Sequence, residues 1–255
     1  MPLTTATSTT VLSFFPTHRK NSANEEPKGS FGTYPRELLA AQRSLQESLE
    51  AAPDIFIRYT QPPLLDASRA ILASLLKVPV AETVLVKNAT TGVNTVLHNL
   101  VFTHTLSPND VIIYFETAYG AVERALLALR ESLDVKLRKV KYIFPLGEGE
   151  MVRKFRGVIE SVRQEGLTPK LAVFETVVSN PGIRFPFEDV TRVCREEGVL
   201  SLIDGAHGVG MIDLDLGRLG ADFFTSNCHK YVLLLTFLCF LVFPGFGDLA
   251  LNRCS

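Results

Sequence analysis

From Thr83 to Thr225 the chain repeats one cycle: a short apolar run, a polar turn, then a stretch with helical spacing. Residues 83–86, 111–115, 135–140, 171–174, 199–203 and 221–225 have strand length and apolar content. Residues 91–104, 121–132, 151–165 and 187–197 space their apolar positions for one face of a helix. Strands separated by helices cannot pair as hairpins, and continuous apolar runs belong to strands buried on both faces. The expected fold class is α/β: a mostly parallel sheet with helices on both faces. Upstream, residues 35–52 have helical spacing through Leu38, Leu39, Leu45 and Leu49. Pro62 and Pro63 can open a second helix, which Pro79 stops.

Composition narrows the function classes. The 255 residues are 46% apolar and 21% charged, enough apolar matter for one large domain and too much for global disorder. A net charge of −1 offers no electrostatic reason to bind nucleic acid or an anionic membrane. The four cysteines, Cys194, Cys228, Cys239 and Cys254, form no CxxC and no metal-ligand spacing, as in a reduced, cytoplasmic protein. Residues 1–28, rich in Ser, Thr, Asn and Pro, read as a disordered leader without a secretory signal.

Parallel sheets of this kind bind ligands in the crevice beyond the carboxyl ends of their strands, so polar residues just after apolar runs carry the functional argument. Asp204-Gly205-Ala206-His207 ends one run, and Thr225-Ser226-Asn227-Cys228-His229-Lys230 ends the next. A lysine amine can form a Schiff base with an aldehyde cofactor, and a buried acid can keep a pyridine nitrogen protonated. That pairing points to pyridoxal phosphate. Taken alone, Lys230 also reads as a surface lysine at the edge of an apolar stretch, and His207 as a loop histidine bonded to local backbone. Asn88-Ala89-Thr90-Thr91-Gly92 precedes a helix, where free N–H groups suit a phosphate and where Asn and Thr also serve simply as caps. Tyr119 can stack on a flat cofactor or fill core space, and Asn180 lies in Ser179-Asn180-Pro181-Gly182, which is also an ordinary turn signal. Asp213 and Asp215 read as solvent-facing.

The ordered pieces Asn88-Ala89-Thr90-Thr91, Thr117-Ala118-Tyr119-Gly120, Ser179-Asn180-Pro181-Gly182, Asp204-Gly205-Ala206-His207 and Asn227-Cys228-His229-Lys230 resemble the class V aminotransferase family. The likeness covers residues 29 to 231. Within the family it is similar to the isopenicillin N epimerase-like and hercynylcysteine sulfoxide lyase-like proteins, and to cysteine desulfurases. The resemblance implies a type I pyridoxal-phosphate fold and a homodimer acting on a small amino acid. It implies that Lys230 forms the Schiff base and later acts as general base, and that Asp204 pairs with the pyridine nitrogen. It further implies that Ala89 (through its backbone amide), Thr90, Asn227 and His229 hold the phosphate, that Tyr119 stacks on the ring, and that Asn180 and His207 lie near the ring oxygen. The reaction implied is carbon–sulfur lysis through a stabilised α-carbanion, with epimerisation, transamination or a non-catalytic truncated isoform acting only as a binding partner as alternatives.

Two departures from the family pattern are visible. Glu25-Glu26-Pro27-Lys28 stands where relatives carry an Asn-His pair, and an apolar run, residues 232–245, follows the lysine. The run is short against the about 20 residues of a membrane helix, though it is rich enough in β-branched and aromatic residues to pair as a strand. The expectation is therefore a partial large domain over residues 29–231, an aberrant apolar tail over 232–255, and no small domain with its carboxylate-binding arginine. Weak or absent turnover is expected of such a chain.

Overall fold

The computed structural model describes residues 37–231 and 239–242. Its strands are β1 (Thr83–Val86), β2 (Asp110–Phe115), β3 (Lys136–Val140), β4 (Thr168–Glu175), β5 (Leu200–Asp204), β6 (Phe223–Asn227) and β7 (Cys239–Val242). Its longer helices are α1 (Glu37–Ala51), α2 (Gln61–Leu76), α3 (Ala89–Phe102), α4 (Gly120–Leu133), α5 (Glu148–Gln164) and α6 (Phe187–Glu197).

Side chains alternate across a strand, so each strand here serves two cores. Val111, Ile113 and Phe115 of β2 join one buried cluster, and Ile112 and Tyr114 join the other. The first cluster receives Leu72 and Leu76 from α2, Phe155 and Ile159 from α5, and Val190 and Val193 from α6. The second receives Val93, Val96 and Leu97 from α3, with Val122, Leu126 and Leu129 from α4. Both faces of the sheet are thus covered, which is why its inner strands β2, β4 and β5 are largely apolar.

The sheet order is β1-β7-β6-β5-β4-β2-β3. The pairs β2–β3, β2–β4, β4–β5 and β5–β6 are parallel. β7 pairs antiparallel with both β1 and β6, so β1 and β6 run the same way. Consequently β1, β2, β4, β5 and β6 all present their carboxyl ends to one edge.

The apolar run after Lys230 therefore supplies a strand in its second half: Cys239–Val242 lies between β1 and β6, and Val242 is fully buried. The rest of that run, the tail beyond it, the leader and residues 29–36 lie outside the described residues. Asp213 is exposed as expected, but Asp215 is not a plain surface acid. Its carboxylate pairs with Lys77 Nζ at 3.1 Å and accepts from the Arg218 amide, capping the turn Leu216–Leu219. The Lys77 partner, 138 residues away in sequence, could not be read from local pattern.

Candidate active site

The first part of the edge is the start of α3. Asn88 is its N-cap, in extended backbone, and its side chain accepts from the Thr91 amide at 2.7 Å. The Ala89 amide donates to Asn227 Oδ1 at 3.0 Å, tying the helix start to the end of β6. Gly92 lets the two elements approach: a Cβ there would stand 2.2 Å from Thr225 Oγ1. One early N–H remains. The Thr90 amide and hydroxyl have no hydrogen-bond partner among the described residues. An unclaimed amide and hydroxyl at the positive end of a helix suit an anion. An open hollow of about 710 Å³ lies beside them, lined in part by Thr90, Thr91, Asn94 and His98.

The second part is the end of β5. Asp204 is 5% exposed, and its Oδ1 accepts from the Ala206 amide at 3.0 Å. The loop it opens is sewn to β6: the Gly205 amide donates to Thr225 O at 2.7 Å and Ser226 Oγ to Gly205 O at 2.6 Å. A Cβ on Gly205 would meet the Phe224 ring at 2.1 Å, so only glycine fits under this loop. His207, in the loop after β5, and His229, in the turn after β6, are half-buried. Lys230 lies in the helical turn Cys228–Tyr231 directly after β6, and its side chain is outside what the structure describes.

Tyr119 follows β2 as the residue preceding α4. Its side chain is 49% exposed, which removes the core-packing reading. Its amide donates to Glu175 Oε1 at 3.1 Å. Glu175, the last residue of β4, is 7% exposed and stands in register with Asp204 on β5. Beneath it Thr117 Oγ1 and Tyr142 OH are 2.5 Å apart. Burial first, and the nearby Glu175 and Glu116 charges after it, push the Tyr142 phenol above its ordinary range.

Asn180 follows β4, which ends at Glu175. It lies at the exposed tip of a turn closed by Val178 N to Ile183 O at 2.8 Å and by the Val177–Arg184 bridge. Two residues at the edge escaped the sequence reading. Glu175 carries the same signal that marked Asp204, an acid ending an apolar run, and was legible on that ground. Thr176 was not: it is fully buried, and its hydroxyl, packed against Gly208, has no partner among the described residues.

Among the described residues no group of His, Cys, Asp and Glu is arranged to hold a metal ion, and no helix is long and apolar enough to cross a membrane. What the edge offers is an unclaimed amide and hydroxyl at a helix start, a buried acid, a half-exposed aromatic ring and a lysine-bearing turn.

Such a set suits the chemistry of pyridoxal phosphate. The model of the family described as aminotransferase class-V matches residues 62–233. An L-cysteine desulfhydrase-like protein of Epichloe uncinata is 40% identical over 203 residues, 80% of this chain and 44% of that protein. The hercynylcysteine sulfoxide lyase of Schizosaccharomyces pombe is 26% identical over 206 residues, 80% of this chain and 50% of that protein. Among solved structures, the complex of the cystine C–S lyase C-DES with its product cysteine persulfide superposes with a TM-score of 0.71 at 20% identity. It covers 85% of this chain and 57% of that one, and shares the fold. The chain belongs to the class-V aminotransferase family, and its architecture is that of fold type I, with pyridoxal phosphate as cofactor. It spans about half the length of the curated relatives it matches.

The residues present fit that cofactor. The unclaimed Thr90 amide and hydroxyl match its phosphate, the buried Asp204 carboxylate its pyridinium, and the Tyr119 ring its flat face.

Proposed function

We propose that this protein cleaves the carbon–sulfur bond of cysteine or a close cysteine derivative, with pyridoxal phosphate bound at the common carboxyl edge. When bound, the cofactor supplies an electron sink for the pair left at the substrate's α-carbon. Asp204 holds the proton on the pyridine nitrogen, because a buried carboxylate favours the protonated neighbour. The Thr90 amide and hydroxyl bind the phosphate with His229 beside them, and Asn227 keeps the helix start in place through the Ala89 amide. Tyr119 covers one face of the ring, and His207 serves its oxygen.

Lys230 anchors the cofactor and then works as the general base, its Nζ taking the proton from the α-carbon. The Cβ–S bond breaks with its electron pair leaving on sulfur, which leaves as sulfide. The Lys230 amine then takes back its bond to the cofactor, and the enamine so released takes up water to give pyruvate and ammonia. The observation that carries this reading is the edge itself, where Asp204, Asn227 and the start of α3 are bonded into one unit immediately before Lys230. Cysteine is preferred to a cysteine sulfoxide because the desulfhydrase-like relative is the more similar of the two, at 40% against 26% identity.

The test is an absorbance titration of the full chain with pyridoxal phosphate, before and after borohydride, beside Lys230→Ala. A visible band that is lost on reduction and absent from the variant is expected. Incubation with cysteine should then release sulfide and pyruvate in equal amounts, at the low rate expected of this chain. No band in a folded sample would end the proposal. Racemised cysteine or a keto acid that retains sulfur would replace the lyase with an epimerase or a transaminase.

A further inference from the structure

Glu175 has no part in the chemistry just described, yet it is a carboxylate buried to 7% exposure at the centre of the edge. Burying a carboxylate is costly, and strong accepted hydrogen bonds offset part of that cost. Oε1 takes the Tyr119 amide at 3.1 Å. The Tyr119 carbonyl is bonded in turn by the Glu123 amide at 3.0 Å in the first turn of α4. Both peptide groups flanking the Tyr119 Cα are therefore held, one by β4 and one by α4, and the direction of its Cα–Cβ bond is set between them.

The approach to Tyr119 is held as well. The Ala118 amide donates to Phe115 O at 3.0 Å, and Thr117 Oγ1 meets Tyr142 OH at 2.5 Å. The ring itself is 49% exposed, so its backbone anchor weighs heavily in where it stands. Register completes the arrangement: Glu175 of β4 is paired with Asp204 of β5, so the residue that fixes the ring is the lateral neighbour of the acid that meets the pyridine nitrogen.

We infer that Glu175 is a positioning residue that, through the Tyr119 amide, sets the tyrosine ring over the cofactor plane at a height fixed by the β4–β5 pairing. This rests on the proposed cofactor site. The substitution Glu175→Gln retains an acceptor for the amide, and Glu175→Met keeps the side-chain length without one.

The experiment titrates pyridoxal phosphate into the full chain as wild type, Glu175→Gln, Glu175→Met, Tyr119→Ala and Glu175→Met with Tyr119→Ala. It follows the dissociation constant and the circular dichroism of the bound cofactor's visible band. A lost charge-assisted hydrogen bond felt partly by the cofactor should weaken binding of Glu175→Met about 3- to 10-fold and change the dichroic band. Glu175→Gln should retain both, and in the Tyr119→Ala background Glu175→Met should add nothing. Equal losses in the two Glu175 variants, or an undiminished loss without the tyrosine ring, would overturn the inference while leaving the site intact. Wild type without any visible band would overturn the site and this inference together. Should Glu175→Met fail to fold, hydrogen exchange of the wild-type Tyr119 amide decides: protection is expected, and exchange at the free-peptide rate refutes the bond.

Discussion

Single atoms at the edge hold elements that are far apart in sequence. Asn227→Ala would leave the Ala89 N–H, on a residue 5% exposed, without its acceptor. The expected loss is about 1–3 kcal/mol of stability, read by urea denaturation, together with weaker cofactor binding. Gly92→Ala puts a Cβ 2.2 Å from Thr225 Oγ1, so α3 must move off β6. Overpacking of this kind costs about 1–3 kcal/mol. The double variant with Thr225→Ala should be more stable than the sum of the two single losses, because the colliding hydroxyl is gone; additive losses would show that the contact is not the cause.

Among the elements, β7 has the widest consequences. Among the described strands it is what links β1 to the parallel body of the sheet, and β1 leads into α3, where we propose the phosphate binds. Val242, fully buried, packs in the cluster beneath α2, α5 and α6. Val242→Asp would bury an unpaired charge, at a cost of about 3 kcal/mol or more. Hydrogen exchange should then quicken first at Thr83–Val86, the strand that loses its partner, with β2 and β4 protected for longer. Uniform quickening across the sheet would mean that β7 is not a separable link. We propose on this ground that the large domain extends past residue 231 to include β7.

The molecule as a whole should lose stability in acid. Lys139 bonded to Glu123 holds that carboxyl below its ordinary value. Arg156 and then Arg192 do the same for Glu196, and Lys77 for Asp215. A depressed folded-state value means stability that is present above the ordinary carboxylate range and lost as pH falls through the folded-state values. The melting temperature should therefore hold near neutrality and decline below the ordinary carboxylate range, with a shallower decline at high salt, where exposed pairs are screened. Lys139→Met should flatten part of the curve; an unchanged curve would show that the Glu123 pair contributes nothing to it.

At this largest scale, much of the fold is legible without coordinates, because its signals are local. The predicted helix over 187–197 coincides with α6, and the predicted strand over 83–86 with β1, since apolar period and capping residues act within a few neighbours. Asp204, the start of α3 and the Lys230 turn were legible for the same reason, each standing where an apolar run stops. Strand order was not, since pairing between β4 and β5 or between β7 and β1 joins residues with no shared local pattern. The insertion of Cys239–Val242 into the sheet depends on the gap that β1 and β6 leave for it. The tie from Asn227 to Ala89 and the grip of Glu175 on Tyr119 likewise span 138 and 56 residues. The sequence by itself determined which segments are strands and helices and which polar residues end them. Only the tertiary structure decided which of those ends meet, because hydrogen bonds between distant residues form once the sheet has brought them together.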